Sequence, residues 1–232
     1  MSTAGPLRER TIAVRALWRH FSMLPWMRPF TAWRVYWKWH LRGRPIPAPP
    51  IVKQRIVRGH LRRSGATTLV ETGTFRGDMV DALAPVAARI VSIELDDDFY
   101  AAARRRFAGR QHIEVLHGDS GALLPAVLRT LDRPALFWLD GHYTGINSAR
   151  TSVDSPIVAE IEALLDHSVP GHVVLIDDAR EFSGTGGYPT IEQLRAMILA
   201  RQPLSQFAVA DDIIRWTTHP AGYEAAPPPP RG

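Results

Sequence analysis

From residue 51 the sequence changes period over and over, and this alternation limits the fold more than any other feature. "IVKQRIVRGHLRRSG" has the spacing of a helix ending at Gly65, and "TTLVE" that of a buried strand. "GDMVDALAPVA" is again helical, "RIVSIE" a strand, and "DDFYAAARRRFA" a helix with an Asp N-cap. Strand "HIEVLH", helix "SGALLPAVLRTL", strand "ALFWLD", helix "SPIVAEIEALLDH", strand "HVVLID" and helix "TIEQLRAMILARQ" follow. Strands separated by helices cannot pair as hairpins, so the pattern predicts a parallel sheet covered by helices on both faces. In "QFAVADDIIRWTTH" two strand-like runs are joined only by Asp211 and Asp212, too short for a crossover, so these two should form an antiparallel hairpin.

The rest of the chain is of another kind. Residues 1–65 carry 14 Arg and Lys against one acid, Glu9, whereas residues 66–232 carry 14 against 22. The basic pI therefore belongs to the N-terminus, and no basic footprint is spread over the α/β part as nucleic-acid binding would require. In "TIAVRALWRHFS" the residues Val14, Leu17, Trp18 and Phe21 share one helical face while Arg8, Arg15 and Arg19 fall on another. "WRVYWKWHLRGRP" continues with Trp33, Trp37 and Trp39 among Arg34, Lys38, Arg42 and Arg44, until "RPIPAPP" ends it. Three partners suit such an arm. It can pack on the α/β part or on a second subunit as a homodimer, rest on a membrane surface through residues 1–45, or contact nucleic acid. The expected organisation is a helical extension and linker over 1–50, a catalytic-type domain over 51–220 and a disordered Pro-rich tail over 221–232. With no cysteine there is no disulfide framework and no thiol nucleophile. No apolar run reaches the ~20 residues of a membrane span, so a cytoplasmic protein, with at most peripheral membrane contact, is expected.

Ligands of such sheets bind at the carboxyl ends of the strands. There the sequence places Glu71, Glu94, Asp119 with Ser120, Asp140 with His142, and the pair Asp177–Asp178. Each acid taken singly has a plain alternative as a helix N-cap. Five in register would repel one another unless a cation or a hydroxyl-rich ligand lay among them. The first turn reads E-T-G-T-F-R-G, not G-x-G-x-x-G: Gly73 serves the turn and Gly77 the helix start, but Thr74 and Phe75 stand where a pyrophosphate needs bare backbone. A nicotinamide-dependent oxidoreductase is disfavoured on that ground. A ligand with ribose and adenine but no phosphate fits better: Glu94 can accept from both ribose hydroxyls, Asp119 from an adenine amino group, and Glu71 and Thr74 border space for a cationic amino acid.

In this order the motifs E-x-G-x-x-x-G, the acid of "VSIE", "HGDS" and a closing hairpin resemble the class I S-adenosylmethionine-dependent methyltransferases over residues 51–218. The resemblance implies a Rossmann-like, doubly wound seven-stranded sheet, mostly parallel with an antiparallel last strand. It also implies S-adenosylmethionine contacts at Glu71, Gly73, Thr74, Gly77, Glu94, Asp119 and Ser120. "FWLDGHY" with "VVLIDDAR" is similar to metal-dependent O-methyltransferases of the macrocin and catechol type, which implies magnesium held by Asp140, Asp177 and Asp178. His142, two residues past Asp140, is the nearest candidate general base, its alternative being an ordinary loop histidine; Asp140 is the other catalytic candidate, as an acid or base without metal. The expected acceptor is a hydroxylated small molecule or sugar, not nucleic acid. The reading of another class is a non-catalytic methyltransferase-like domain that docks on a membrane or protein partner through its basic arm.

Overall fold

The computed structural model describes residues 28–141 and 156–218. The chain divides into two compact units, residues 1–53 and 54–232. In the first, helix α1 (Arg28–Leu41) ends at Gly43 and Arg44, both in the left-handed region, and the indole of Trp39 donates to the carbonyl of Pro45 at 2.8 Å. Helix α2 (Pro50–Ser64) spans the boundary and starts on a proline, whose missing N–H has no helical acceptor at that position anyway.

The second unit alternates as the periodicity predicts. Its elements are β1 (Thr68–Thr72), α3 (Asp78–Leu83), β2 (Arg89–Glu94), α4 (Asp97–Arg106), β3 (Ile113–His117), α5 (Ser120–Leu128) and β4 (Leu136–Leu139). After the segment that is not described come α6 (Ile157–Asp166), β5 (Val173–Ile176), α7 (Ile191–Arg201), β6 (Gln206–Ala210) and β7 (Ile213–Thr217). Helix α3 is shorter than its pattern suggests: Ala84 keeps helical backbone, but Pro85 has no N–H with which to continue the ladder. The strands lie in the order β3-β2-β1-β4-β5-β7-β6, with β1 to β5 parallel and β7 antiparallel to both β5 and β6. Asp211 and Asp212 close that hairpin with φ of 58° and 64°, the backbone that a two-residue turn of matching twist requires.

Alternate residues of each central strand point to opposite apolar layers, which is why these strands read as unbroken hydrophobic runs. Phe137 and Leu139 of β4, with Val174 and Ile176 of β5, join Leu124, Ile161, Leu164, Leu194 and Ile198 from α5, α6 and α7. Leu136 and Trp138, with Val173 and Leu175, join Val57, Leu61, Val80, Leu83 and Phe107 from the other side. Two such layers fix the sheet rigidly, so the loops at its carboxyl edge have a firm base.

Candidate active site

That edge collects the predicted acids. Glu71 lies on β1 opposite Ser92 of β2, Glu94 ends β2, and Asp140 and Asp177 directly follow β4 and β5. The β1–α3 turn is built around two glycines. Gly73 has φ 82° and donates its N–H to the carbonyl of Ile93 at 2.9 Å, and Gly77 has φ 74°. A Cβ on Gly77 would sit 2.7 Å from the Phe107 ring, so the glycine lets α3 begin hard against the end of α4.

Glu94 organises this turn. Its two carboxylate oxygens accept the backbone N–H of Phe75 at 2.6 Å and of Asp96 at 2.9 Å. A carboxylate oxygen has more than one acceptor site, so an oriented Glu94 keeps capacity for ligand hydroxyls. Glu71 is buried at 2% exposure and accepts the Ser92 hydroxyl at 2.5 Å, while Ser92 also meets Thr74 Oγ1 at 2.6 Å. Burial pushes the Glu71 carboxyl well above the usual carboxylate range; the Ser92 bond opposes this and the negative charges of Asp140, Glu94 and Asp78 add to it.

After β3 the structure shows Asp119 as a helix cap. It caps α5, accepting the N–H of Ala122 at 2.9 Å, and stands beside the buried Ser120. Around Gly141 a Cβ would lie 3.5 Å from Thr72 Oγ1, 3.6 Å from Ser120 Oγ and 3.7 Å from Glu160 Oε1. Small size at 141 thus leaves room between these side chains.

Asp140, Asp177 and Asp178 come together, each offering an oxygen within 4.8 Å of the others. Hard cations, with oxygen bonds of about 2.1–2.5 Å, span such a separation, and an all-carboxylate donor set suits Mg²⁺. Asp177 is 1% exposed and accepts the N–H of Asp178 at 2.9 Å. Asp178 adopts φ 52° and receives Arg180 at 2.8 Å. The same guanidinium pairs with the buried Asp212, which also accepts the Arg180 N–H at 3.0 Å and, through its carbonyl, that of Ala179 at 2.8 Å. The hairpin turn therefore anchors the loop that carries two of the three acids.

His142 lies outside the described residues. Four residues enter the site unforeseen: Ser92, Glu160, Arg180 and Asp212. Ser92 had a signal as the one hydroxyl inside "RIVSIE", and Glu160 as an acid on the apolar face of "IVAEIEALL". Arg180 and Asp212 meet only through the tertiary fold. The loop after β5 that carries Gly184, Gly186 and Gly187 closes on itself, with a Ser183–Thr190 bridge and the Phe182 and Tyr188 rings 5.3 Å apart.

No family model matches the chain. A 70-residue stretch covering 30% of it is 39% identical to ribosomal RNA small subunit methyltransferase A of Acidobacterium capsulatum, and spans 24% of that protein's length. Solved structures match over most of their lengths. An O-methyltransferase from Bacillus cereus, in complex with S-adenosylhomocysteine, superposes with a TM-score of 0.56 at 17% identity, over 88% of this chain and 97% of that one. TomG of Streptomyces achromogenes, an O-methyltransferase of tomaymycin synthesis bound to S-adenosylmethionine, gives 0.54 at 18% identity over 81% and 89%. A methyltransferase of Podospora anserina, bound to S-adenosylhomocysteine, gives 0.53 at 16% identity over 94% and 99%. With its reversed β7 between β5 and β6, this chain has the fold of the class I S-adenosylmethionine-dependent methyltransferases.

Proposed function

We propose that the protein transfers a methyl group from S-adenosylmethionine to a hydroxyl of a small molecule or sugar, with a divalent cation at Asp140, Asp177 and Asp178. The observation that carries this reading is the division of the acids at the sheet edge: Glu71 and Glu94 border the glycine turn on one side, and three clustered carboxylates stand on the other. The solved O-methyltransferases of the same fold support it. A phosphodiester acceptor is disfavoured by the excess of acids over bases in residues 66–232.

Methyl transfer from a sulfonium forms one C–O bond, breaks one C–S bond with its electrons going to sulfur, and leaves a proton to be removed from the acceptor. Such an in-line displacement needs mainly positioning and a base. Glu94 would hold the ribose hydroxyls, and the buried Glu71 would face the ammonium of the donor's amino-acid part. Asp119 and Ser120 would border the adenine. Asp140, Asp177 and Asp178 would hold Mg²⁺, which would supply polarisation of the acceptor hydroxyl and so lower its pKa. Arg180 keeps Asp178 aimed at the cluster, and His142 is the base assigned to the departing proton.

Labelled S-adenosylmethionine offered with a panel of catechols and glycosides tests the reading, with and without chelator. Transfer should vanish in chelator and return with Mg²⁺ or Mn²⁺. Asp177→Asn keeps an oxygen for the Asp178 N–H, so it should fold, raise the metal requirement by about tenfold or more, and leave metal-free cofactor binding nearly intact. A folded protein that binds no labelled cofactor would sink the methyltransferase reading; full transfer in chelator would sink only the metal.

A further inference from the structure

Helix α1 has an exposed face that the chemistry at the sheet edge leaves unexplained. Residues 33, 37 and 41 follow at intervals of four and so share one stripe along the helix. They are Trp33, Trp37 and Leu41, at 53%, 47% and 84% exposure. The rings of Trp33 and Trp37 meet edge to face with centroids 6.3 Å apart, which makes the stripe a continuous aromatic ledge. One position on, and about 100° around the axis, run Arg34 and Lys38 with Arg42 just past the helix end, all exposed. Between Glu9 and Glu71 the sequence holds 13 Arg and Lys and no acid, so this cationic stripe has no acidic neighbour in the chain segment that carries it.

The chemistry of the two stripes selects a partner. Large aromatic and aliphatic side chains side by side at the surface mark an interaction site, not a helix meant to face water. Tryptophan suits the boundary between lipid headgroups and acyl chains, since its ring is apolar while its N–H can still reach water or phosphate. Leu41 offers no π face for stacking on a nucleic-acid base, yet gains fully from acyl chains. Two copies of the helix facing each other would oppose cation to cation with no acid between them. The flexible stems of Arg34, Lys38 and Arg42 let their charges reach phosphates while the neighbouring Trp rings enter.

We propose that α1 docks flat on an anionic bilayer, with Trp33, Trp37 and Leu41 entering the headgroup region and Arg34, Lys38 and Arg42 held by lipid phosphates. The docking is independent of the methyl-transfer reading. Juxtaposed cations near such a surface each add roughly fivefold to partitioning at physiological salt, so three of them with two Trp rings give measurable binding.

The 232-residue chain is tested by co-sedimentation with vesicles of phosphatidylcholine alone and with vesicles that also contain phosphatidylglycerol. The expected result is binding to the second kind only, weakened as salt rises. Trp33→Ala with Trp37→Ala should lower the partition coefficient about tenfold or more. Arg34→Gln with Lys38→Gln and Arg42→Gln should remove the preference for phosphatidylglycerol. All five changes lie at exposed positions, and circular dichroism checks that each variant folds. No sedimentation of the wild type, or equal partitioning of wild type and both folded variants, overturns the proposal. So does a wild type that is displaced from vesicles by single-stranded oligonucleotide, or one whose Trp variant changes from dimer to monomer without altering vesicle binding.

Discussion

Phe75 holds its backbone at φ 48°, a conformation that costs a bulky residue about 1–3 kcal/mol and persists only where the surroundings over-determine it. Here the determinant is the 2.6 Å bond from its N–H to Glu94. Glu94 thus shapes the turn and, in the proposed site, also meets the ribose. Glu94→Ala should weaken S-adenosylhomocysteine binding by about 2–4 kcal/mol by titration calorimetry. Phe75→Gly, added to that variant, removes the strain at 75 without replacing the carboxylate. If the loss comes from the ribose contact, affinity stays low in the double variant; if it comes from a collapsed turn, affinity returns. Unchanged affinity in a folded Glu94→Ala protein would take Glu94 out of the site.

Elements are also tied together at the opposite, amino edge of the sheet. His172, just before β5 and wholly buried, accepts the N–H of Ala135 at the start of β4 through Nδ1 at 3.0 Å. Its Nε2 meets Nδ1 of His167, the C-cap of α6, at 2.8 Å. Burial, aided by His167, lowers the His172 pKa to about 4, and burial with the charges of Arg215 and Arg63 lowers that of His60 to about 3. Both therefore stay neutral when folded but take up a proton when unfolded below about pH 6.5. Their contribution to stability is full above that pH and is lost as pH falls toward the folded values, at about 1.4 kcal/mol per unit for each group. Glu71, raised in the folded state, acts in the opposite sense, so a difference measurement is needed. His172→Gln should lose about 2 kcal/mol less than wild type between pH 7 and 5 in denaturant titrations; equal losses would show that His172 does not titrate. The elements themselves were legible in sequence because the central strands are apolar runs and several helices open on a side-chain cap, as in Asp96 before α4, Asp119 before α5 and the T-x-x-Q box of Thr190 and Gln193 that opens α7. Strand-end acids were legible for the same reason: a strand's end fixes where its next residue stands. The bonds of Glu71 to Ser92 and of Arg180 to Asp212 were not, because they depend on cross-strand register and on where the hairpin folds back, and neither leaves a local pattern.

At the scale of the whole molecule the charge is sorted along the sequence, with 14 Arg and Lys against one acid in residues 1–65 and an excess of acids after them. Within the α/β part the clusters at the sheet edge are not independent. Asp140 donates its N–H to the carbonyl of Thr72 at 3.0 Å, and a Cβ on Gly73 would fall 2.9 Å from the Asp140 carbonyl carbon and closer still to its oxygen. The glycine turn and the acid triad share this one crowded contact. A ligand that settles the backbone on one side must settle it on the other, and thermodynamics makes such an influence mutual. Mg²⁺ should tighten S-adenosylhomocysteine by about fivefold or more, and S-adenosylhomocysteine should tighten Mg²⁺ by the same factor, in paired calorimetric titrations. Gly73→Ala, which must push Asp140 away, should weaken both ligands together. A factor of one in the wild type would mean that donor and metal are held by neighbours that do not communicate; a shared factor would make the bare α-carbon of Gly73 the hinge through which whichever ligand arrives first prepares the protein for the second.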